Sequence, residues 1–472
     1  MRAEAGVSGA QMEAILANLR IKFGRKVVEP GYADAQIEHN NRYIDYFDAK
    51  FENFEDREGN EISMPYVYCK DIEGFLSKVE ENRAAAAPQE NLGAVRRGKK
   101  RKLGGDSGKG TLKMCMSLFD DNERPPAKKA KRFSYEDGIG GGKAAEETGQ
   151  GKMLCLAVVP TIPESPYNIR KMLNSLKLDQ MDFQITGDLK FLMPCYGLKG
   201  CSSLHPCLFC CQMRRKGVWS GPPDLRTFAN LAEQVEKLPE DPGRRNKTAV
   251  TAGTQSVVGD VLVRTAWDAD DKTVLSKTGM PSVHLLLATN DVLNFCEPFF
   301  GGRQAMLGFL KTHLSIQPHS YQGHEGAFAG PECDKILNNL NIIEPQLRNG
   351  GANGGLIFNL LTSFQKVKKD IFGTELGNTW EASIQEFSED LDIAHAAASL
   401  PISPKLHIIQ KHVAQKVYMT GRALGKENEA ALEAYHGSYL KVWDYYHVRD
   451  KHSPVYLDHL LKSVLRINRD NT

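Results

Sequence analysis

Thr186-Gly187-Asp188-Leu189-Lys190 places a carboxylate just beyond a short apolar stretch, and Cys207-Leu208-Phe209-Cys210 begins nineteen residues after Asp188. Asp182–Thr186 reads as a strand, so Asp188 is expected at a strand end, where a polar side chain can project from the edge of a sheet. The two cysteines have the spacing of half a zinc site. Each half needs partners from elsewhere in the chain: two more zinc ligands, and further carboxylates.

Working upstream, Tyr167–Leu176 has helical spacing, and Met153–Val159 (MLCLAVV) is a continuous apolar run suited to a central strand. Before it, Arg132-Phe133-Ser134-Tyr135-Glu136-Asp137 alternates as a half-buried strand does, and Gly138-Ile139-Gly140-Gly141-Gly142 reads as a turn. The predicted order is strand, hairpin strand, strand, helix, strand, with Asp137 closing the first element and Asp188 the fourth strand. A ribonuclease-H-like fold has this order, and its first- and fourth-strand acids meet at one sheet edge while a later helix supplies a third. An α/β class follows: a ribonuclease-H-like catalytic core interrupted by a large, mostly helical, zinc-braced insertion.

The flanks divide the rest. Residues 1–85 are expected as a small helical N-terminal region, from the patterning of Met12–Phe23 and the recurring apolar and aromatic residues of Tyr43–Phe54 and Ile72–Val79. Residues 86–130 read as a basic flexible linker and 131–219 as the first part of the core, ending in the Cys-x-x-Cys half-site. Residues 220–403 form the helical insertion lobe, and 404–472 carry the histidine half-site and a closing catalytic helix.

The net charge of +2 hides a sharp segregation, because residues 95–132 alone carry +9 and the remainder −7. Arg96-Arg97-Gly98-Lys99-Lys100-Arg101-Lys102 and Pro126-Ala127-Lys128-Lys129-Ala130-Lys131-Arg132 resemble nuclear import signals or arms that contact DNA phosphates. A nuclear, DNA-facing protein is expected. No apolar run approaches the length of a membrane span, and the first twenty residues lack a secretory signal pattern. The ten cysteines therefore read as thiols and metal ligands, with Cys69, Cys115 and Cys155 as ordinary buried side chains.

His407-Ile408-Ile409-Gln410-Lys411-His412 offers the missing imidazoles of a Cys2His2 zinc site, which would pin the return of the insertion to its point of departure. A local site built from Cys195, Cys201, Cys207 and Cys210 is the alternative. Downstream, Leu432, Tyr435, Tyr439, Val442 and Tyr446 form one stripe of an amphipathic helix, with Glu429 and Glu433 a turn apart on its flank. Two strand-end aspartates and a helix glutamate can hold a pair of Mg²⁺ or Mn²⁺ ions about 3.5–4 Å apart.

Together, Asp188, Cys207-x-x-Cys210, His407-x4-His412 and the acid-bearing helix beyond them form one pattern. It resembles the catalytic core of the V(D)J recombinase and its Transib-type transposase relatives, over roughly residues 130–470. Asp137-Gly138-Ile139-Gly140 is similar to the segment bearing that family's first catalytic aspartate, and His284-Leu285 and Ala327-Phe328-Ala329-Gly330 are similar to landmarks of its insertion. The resemblance implies a DDE-type transposase that cleaves double-stranded DNA at transposon ends and joins the freed hydroxyl to a target. Asp137, Asp188 and Glu433 (alternatively Glu429) would hold Mg²⁺ or Mn²⁺; Cys207, Cys210, His407 and His412 would hold structural zinc. The DNA contacts would come from Arg96, Arg97, Lys99, Lys100, Arg101, Lys102, Lys128, Lys129, Lys131 and Arg132. Cleavage of paired ends would imply a homodimer. A catalytically silent, domesticated derivative acting as a nuclear DNA-binding or interaction protein is the alternative, and His284 reads as a satisfied structural histidine, with assistance near the metals as its other reading.

Overall fold

A computed structural model describes residues 43–86, 100–106, 111–119, 153–317, 319–321, 324–426, 429–446 and 450–471. It is a mixed α/β protein built on a six-stranded sheet, with helices dominating the C-terminal half. The strands are β1 (Phe47–Glu55), β2 (Glu61–Cys69), β3 (Lys100–Asp106), β4 (Thr111–Phe119), β5 (Leu154–Pro160) and β6 (Gln184–Thr186). Their spatial order is β1-β2-β5-β4-β3-β6, and every neighbouring pair is antiparallel except β3 with β6.

The run Leu154–Pro160 is buried at every residue, as a strand flanked on both edges must be. Helix α1 (Ile72–Ala86) follows the β1–β2 hairpin, and α2 (Pro166–Leu176) crosses from β5 toward β6. Helix α2 starts where the Ser165 side chain accepts from Asn168 N–H and Pro166 takes the first turn, and it buries Ile169, Met172, Leu173 and Leu176.

Two expectations change here. The N-terminal region is not simply helical among the described residues: Phe47–Glu55 and Glu61–Cys69 pair as a hairpin that widens the sheet. Of the aromatic residues in Tyr43–Phe54, Tyr43 and Tyr46 belong to the turn before the strand, and Phe47 and Phe54 are buried near its two ends. The stretch assigned to a flexible linker contains β3 and β4, paired in register from Lys100↔Phe119 to Asp106↔Lys113. Its lysines and glycines masked a strand whose middle, Lys102–Gly105, is wholly buried. The strand and turn expected at Arg132–Gly142 lie outside the described residues.

Beyond β6 come α3 (Leu189–Cys195), the hairpin of β7 (Met213–Arg215) and β8 (Val218–Ser220), and a lobe that is mostly helical as predicted. Within it, α4 (Ser282–Leu286), α5 (Gly351–Ile371) and α6 (Trp380–Ala398) precede α7 (Pro404–Thr420), and α5 packs against α6. The chain then closes with α8 (Ala430–Tyr446) and α9 (Pro454–Asp470). Helix α9 lies on β1, β2 and β5, and its Asn468 accepts from Cys155 N–H at 2.6 Å and donates to Cys155 O at 2.9 Å. That amide serves the strand as a one-residue ladder partner. Helix α8 packs on α9 and β3, burying Leu432, Tyr435 and Tyr439 of the predicted stripe. None of the helices described is long and apolar enough to cross a membrane.

Candidate active site and metal centre

Parallel pairing of β3 and β6 aligns Leu103 with Ile185 and Gly104 with Thr186. Two residues beyond that last pair on each strand stand Asp106 and Asp188. Both strands end here, so both carboxylates emerge at one sheet edge. Asp137 lies outside the described residues, and the acid beside Asp188 is Asp106.

Glycines permit this approach. A Cβ on Gly105 would stand 2.0 Å from the Phe191 ring, and one on Gly104 would meet Leu432 at 3.2 Å. The first lets α3 close over the sheet edge; the second lets α8 lie low on β3. Asp188 caps α3, its Oδ1 accepting from Phe191 N–H at 2.7 Å. Asp106 Oδ2 lies 2.5 Å from His436 Nδ1, on the turn of α8 after Glu433.

Glu429 and Glu433 differ in setting. Glu429 is fully buried; its Oε1 accepts from the His284 backbone N–H and faces the His284 ring Nδ1, each at 2.9 Å. Its Oε2 is buried with no hydrogen-bond partner. The Glu433 side chain is 45% exposed, with Oε1 3.9 Å from His284 Nε2. His284 thus stands between the two glutamates, its ring satisfied by buried Glu429. A parallel bridge between Ile185 and Thr278, with Gly279 N–H donating to Ile185 O at 2.7 Å, brings the start of its segment alongside β6.

The electrostatics follow from crowding. Desolvation raises the Glu433 carboxyl to about 7, with Asp106, Glu429 and Asp188 adding to the rise against the His284 charge. Water at its exposed side screens part of that effect. Burial also raises Asp188, with Asp106 adding, while His284 and the Phe191 N–H oppose. Burial disfavours charge on His284, but the Glu429 hydrogen bond and charge, then Asp188 and Glu433, outweigh it and raise the ring to about 9. Burial and neighbouring carboxylates thus raise both Glu433 and Asp188, and one buried oxygen of Glu429 beside them has no hydrogen-bond partner.

The second centre matches its sequence reading more fully. Cys207, Cys210, His407 and His412 are all buried, and their ligand atoms lie within 4.8 Å of one another. This group could hold a metal ion, and two thiolates with two imidazoles are compatible with structural zinc. The His412 Nδ1 faces Gln415 Oε1 at 2.8 Å, which turns Nε2 toward the cluster. His407 Nε2 lies 3.3 Å from Cys210 Sγ and its ring stacks on Trp219 with centroids 3.7 Å apart. Burial pushes the Cys207 thiol up, while hydrogen bonds from Cys207, then His407 and His412, pull Cys210 down. Buried Arg226 donates to the carbonyls of Cys207 and Gln255 at 3.2 and 3.0 Å, fixing the cysteine turn. Cys195 and Cys201 do not join this group.

The helix carrying both histidines also touches the segment that leads to His284. Lys416, on the helix carrying both histidines, donates to Thr278 O at 2.8 Å, beside the pairing that positions His284.

Of the predicted DNA contacts, Lys100 is exposed, Arg101 pairs with Glu73 at 2.7 Å and Lys102 is buried at 3%. Lys102 is therefore a sheet residue and not part of an arm. Arg96, Arg97, Lys99, Lys128, Lys129, Lys131 and Arg132 lie outside the described residues. The signal that could have revealed Asp106 was the largely apolar stretch Leu112–Leu118 just after it, a strand's partner interrupted by Lys113 and Ser117. The chain matches no family model and no curated protein among those compared.

Proposed function

We propose that this chain is a DDE-type transposase or recombinase, cleaving and joining DNA with divalent metal on a ribonuclease-H-like core. The observation that carries this reading is the emergence of Asp106 and Asp188 at one level of adjacent parallel strands, under a helix bearing Glu433 and Glu429. The strand order β5-β4-β3-β6, with three antiparallel strands and a fourth joined through α2, supports the ribonuclease-H-like assignment. The first acid is then Asp106 in place of Asp137.

When bound between these carboxylates, Mg²⁺ or Mn²⁺ would activate a hydroxyl nucleophile and stabilise the leaving oxygen of a phosphodiester. Asp188, tethered through one oxygen by the helix cap, keeps a fixed orientation. Glu433, open to solvent, meets the substrate side. A second assignment has Glu429 as the third acid, favoured by its unpartnered Oε2; the two glutamates share His284, so either choice draws on the same cluster. The zinc centre braces the helical lobe's return, holding α7 and hence α8 in place. The basic residues Arg96, Arg97, Lys99 and Lys100 and the cluster at 128–132 support a nuclear protein that binds double-stranded DNA as a homodimer at paired ends.

The test is Mn²⁺- or Mg²⁺-dependent nicking and strand transfer by purified protein on pre-nicked DNA from its own locus, with Asp188→Ala beside it. Joining that disappears in the variant supports the enzyme. A folded, zinc-loaded protein that binds DNA without joining it would favour a silent derivative.

A further inference from the structure

The acid cluster raises a physical difficulty, since a nucleic-acid backbone must approach a sheet edge crowded with carboxylates. Strands β3, β5 and β6 run in the same direction, because β4 is antiparallel to both β3 and β5 and β6 is parallel to β3. Their C-terminal ends therefore share one edge. Glu164, four residues past the end of β5, rises from that edge, and its side chain is 3% exposed. Its Oε2 lies 3.2 Å from Nζ of Lys190, whose own side chain is 74% exposed.

This pairing is unusual in its asymmetry. Long lysines on a surface ordinarily wander, and an exposed pair contributes little. Here a buried carboxylate grips the end of a solvent-facing lysine only two residues from Asp188, on the first turn of the helix that Asp188 caps. The result is a cation of restricted position at the mouth of the acid cluster.

We propose that Lys190, aimed by Glu164, forms a phosphate subsite that holds the DNA backbone next to the scissile position. This rests on the DNA-cleaving reading above and adds to it a residue that binds substrate without touching metal. Lys190 donates to a phosphate oxygen from its exposed side while Glu164 limits its swing. The contact is sequence-independent, as phosphate contacts are.

Equilibrium binding of the full chain to a short duplex in EDTA, followed from about 50 to 200 mM salt, separates this from other roles. Releasing one counterion fewer should make the slope of log K against log salt shallower by about 0.9 in Lys190→Ala, so the salt-induced loss of affinity shrinks roughly threefold. Lys190→Arg should retain the wild-type slope. Glu164→Gln should weaken binding with the slope retained, since the charge remains but its aim is lost. Thermal melts of each variant, unchanged within a few degrees, show that folding is intact. A wild-type slope in a folded Lys190→Ala protein that still binds DNA overturns the subsite alone. Absence of DNA binding by the wild type overturns the nucleic-acid reading and the subsite with it.

Discussion

Asp106 and Asp188 stand two residues beyond the paired Gly104 and Thr186, so one parallel register delivers both carboxylates to the same sheet edge. That register depends on how closely neighbouring elements approach the strand ends.

Adding a methyl at Gly105 tests the approach. Its Cβ would overlap the Phe191 ring, so Gly105→Ala should destabilise the fold by about 1–3 kcal/mol in denaturant melts. Pairing it with Phe191→Leu should recover part of the loss, with a coupling of at least about 0.5 kcal/mol. Simple additivity of the two substitutions would show that the glycine is not needed for packing.

The two glutamates should separate by role. Removing the buried Glu429 side chain strips partners from His284, and Glu429→Ala should cost about 1–3 kcal/mol of stability. Glu433→Ala, at a half-exposed position, should cost no stability while abolishing metal-dependent cleavage. Retained cleavage in Glu433→Ala, with loss in the isosteric Glu429→Gln, would transfer the third catalytic role to Glu429.

Rising pH should lower stability through two successive windows in metal-free protein. A carboxyl raised on folding holds its proton more tightly when folded, so Glu433 contributes a loss of stability as pH climbs from 4.5 toward about 7. The melting temperature of wild type relative to Glu433→Gln should fall over that window. His284 acts in the same direction at higher pH: its stabilising contribution is complete below 6.5 and fades as pH rises through about 9. Wild type should lose its advantage over His284→Gln in that upper window, and flat difference curves would contradict the clustering.

Zinc should be structural. Elemental analysis should find zinc bound at the Cys207, Cys210, His407 and His412 group. Cys207→Ser or strong chelation should lower the melting temperature by more than about 5 °C. Full stability without zinc would leave the four residues as an ordinary buried cluster.

Legibility from sequence followed the locality of each signal. Cys-x-x-Cys and the two histidines carry their chemistry in short spacings, so the centre could be named before its geometry was known. The continuous run at Met153–Val159 and the stripe on α8 were equally plain, because burial on two faces or one leaves a periodic trace. Asp106 was hidden for the opposite reason. Its strand carries Lys100, Arg101 and Lys102 at one end and two glycines before the acid, a composition that reads as a solvated linker. Only pairing with β4 and β6, and the space the glycines open for Phe191 and Leu432, makes that segment a strand. The partner of His284 was hidden because nothing local links it to Glu429, 145 residues away in the chain.

The most direct test of the account is calorimetric titration of Mn²⁺ into zinc-loaded wild type, Asp106→Asn, Asp188→Asn and Asp137→Asn. Binding in wild type and Asp137→Asn, with loss of at least about tenfold in affinity for the Asp106 and Asp188 variants, is the predicted result. Unaltered binding in Asp106→Asn, or its loss in Asp137→Asn, would contradict the placement of the metal site at the ends of β3 and β6.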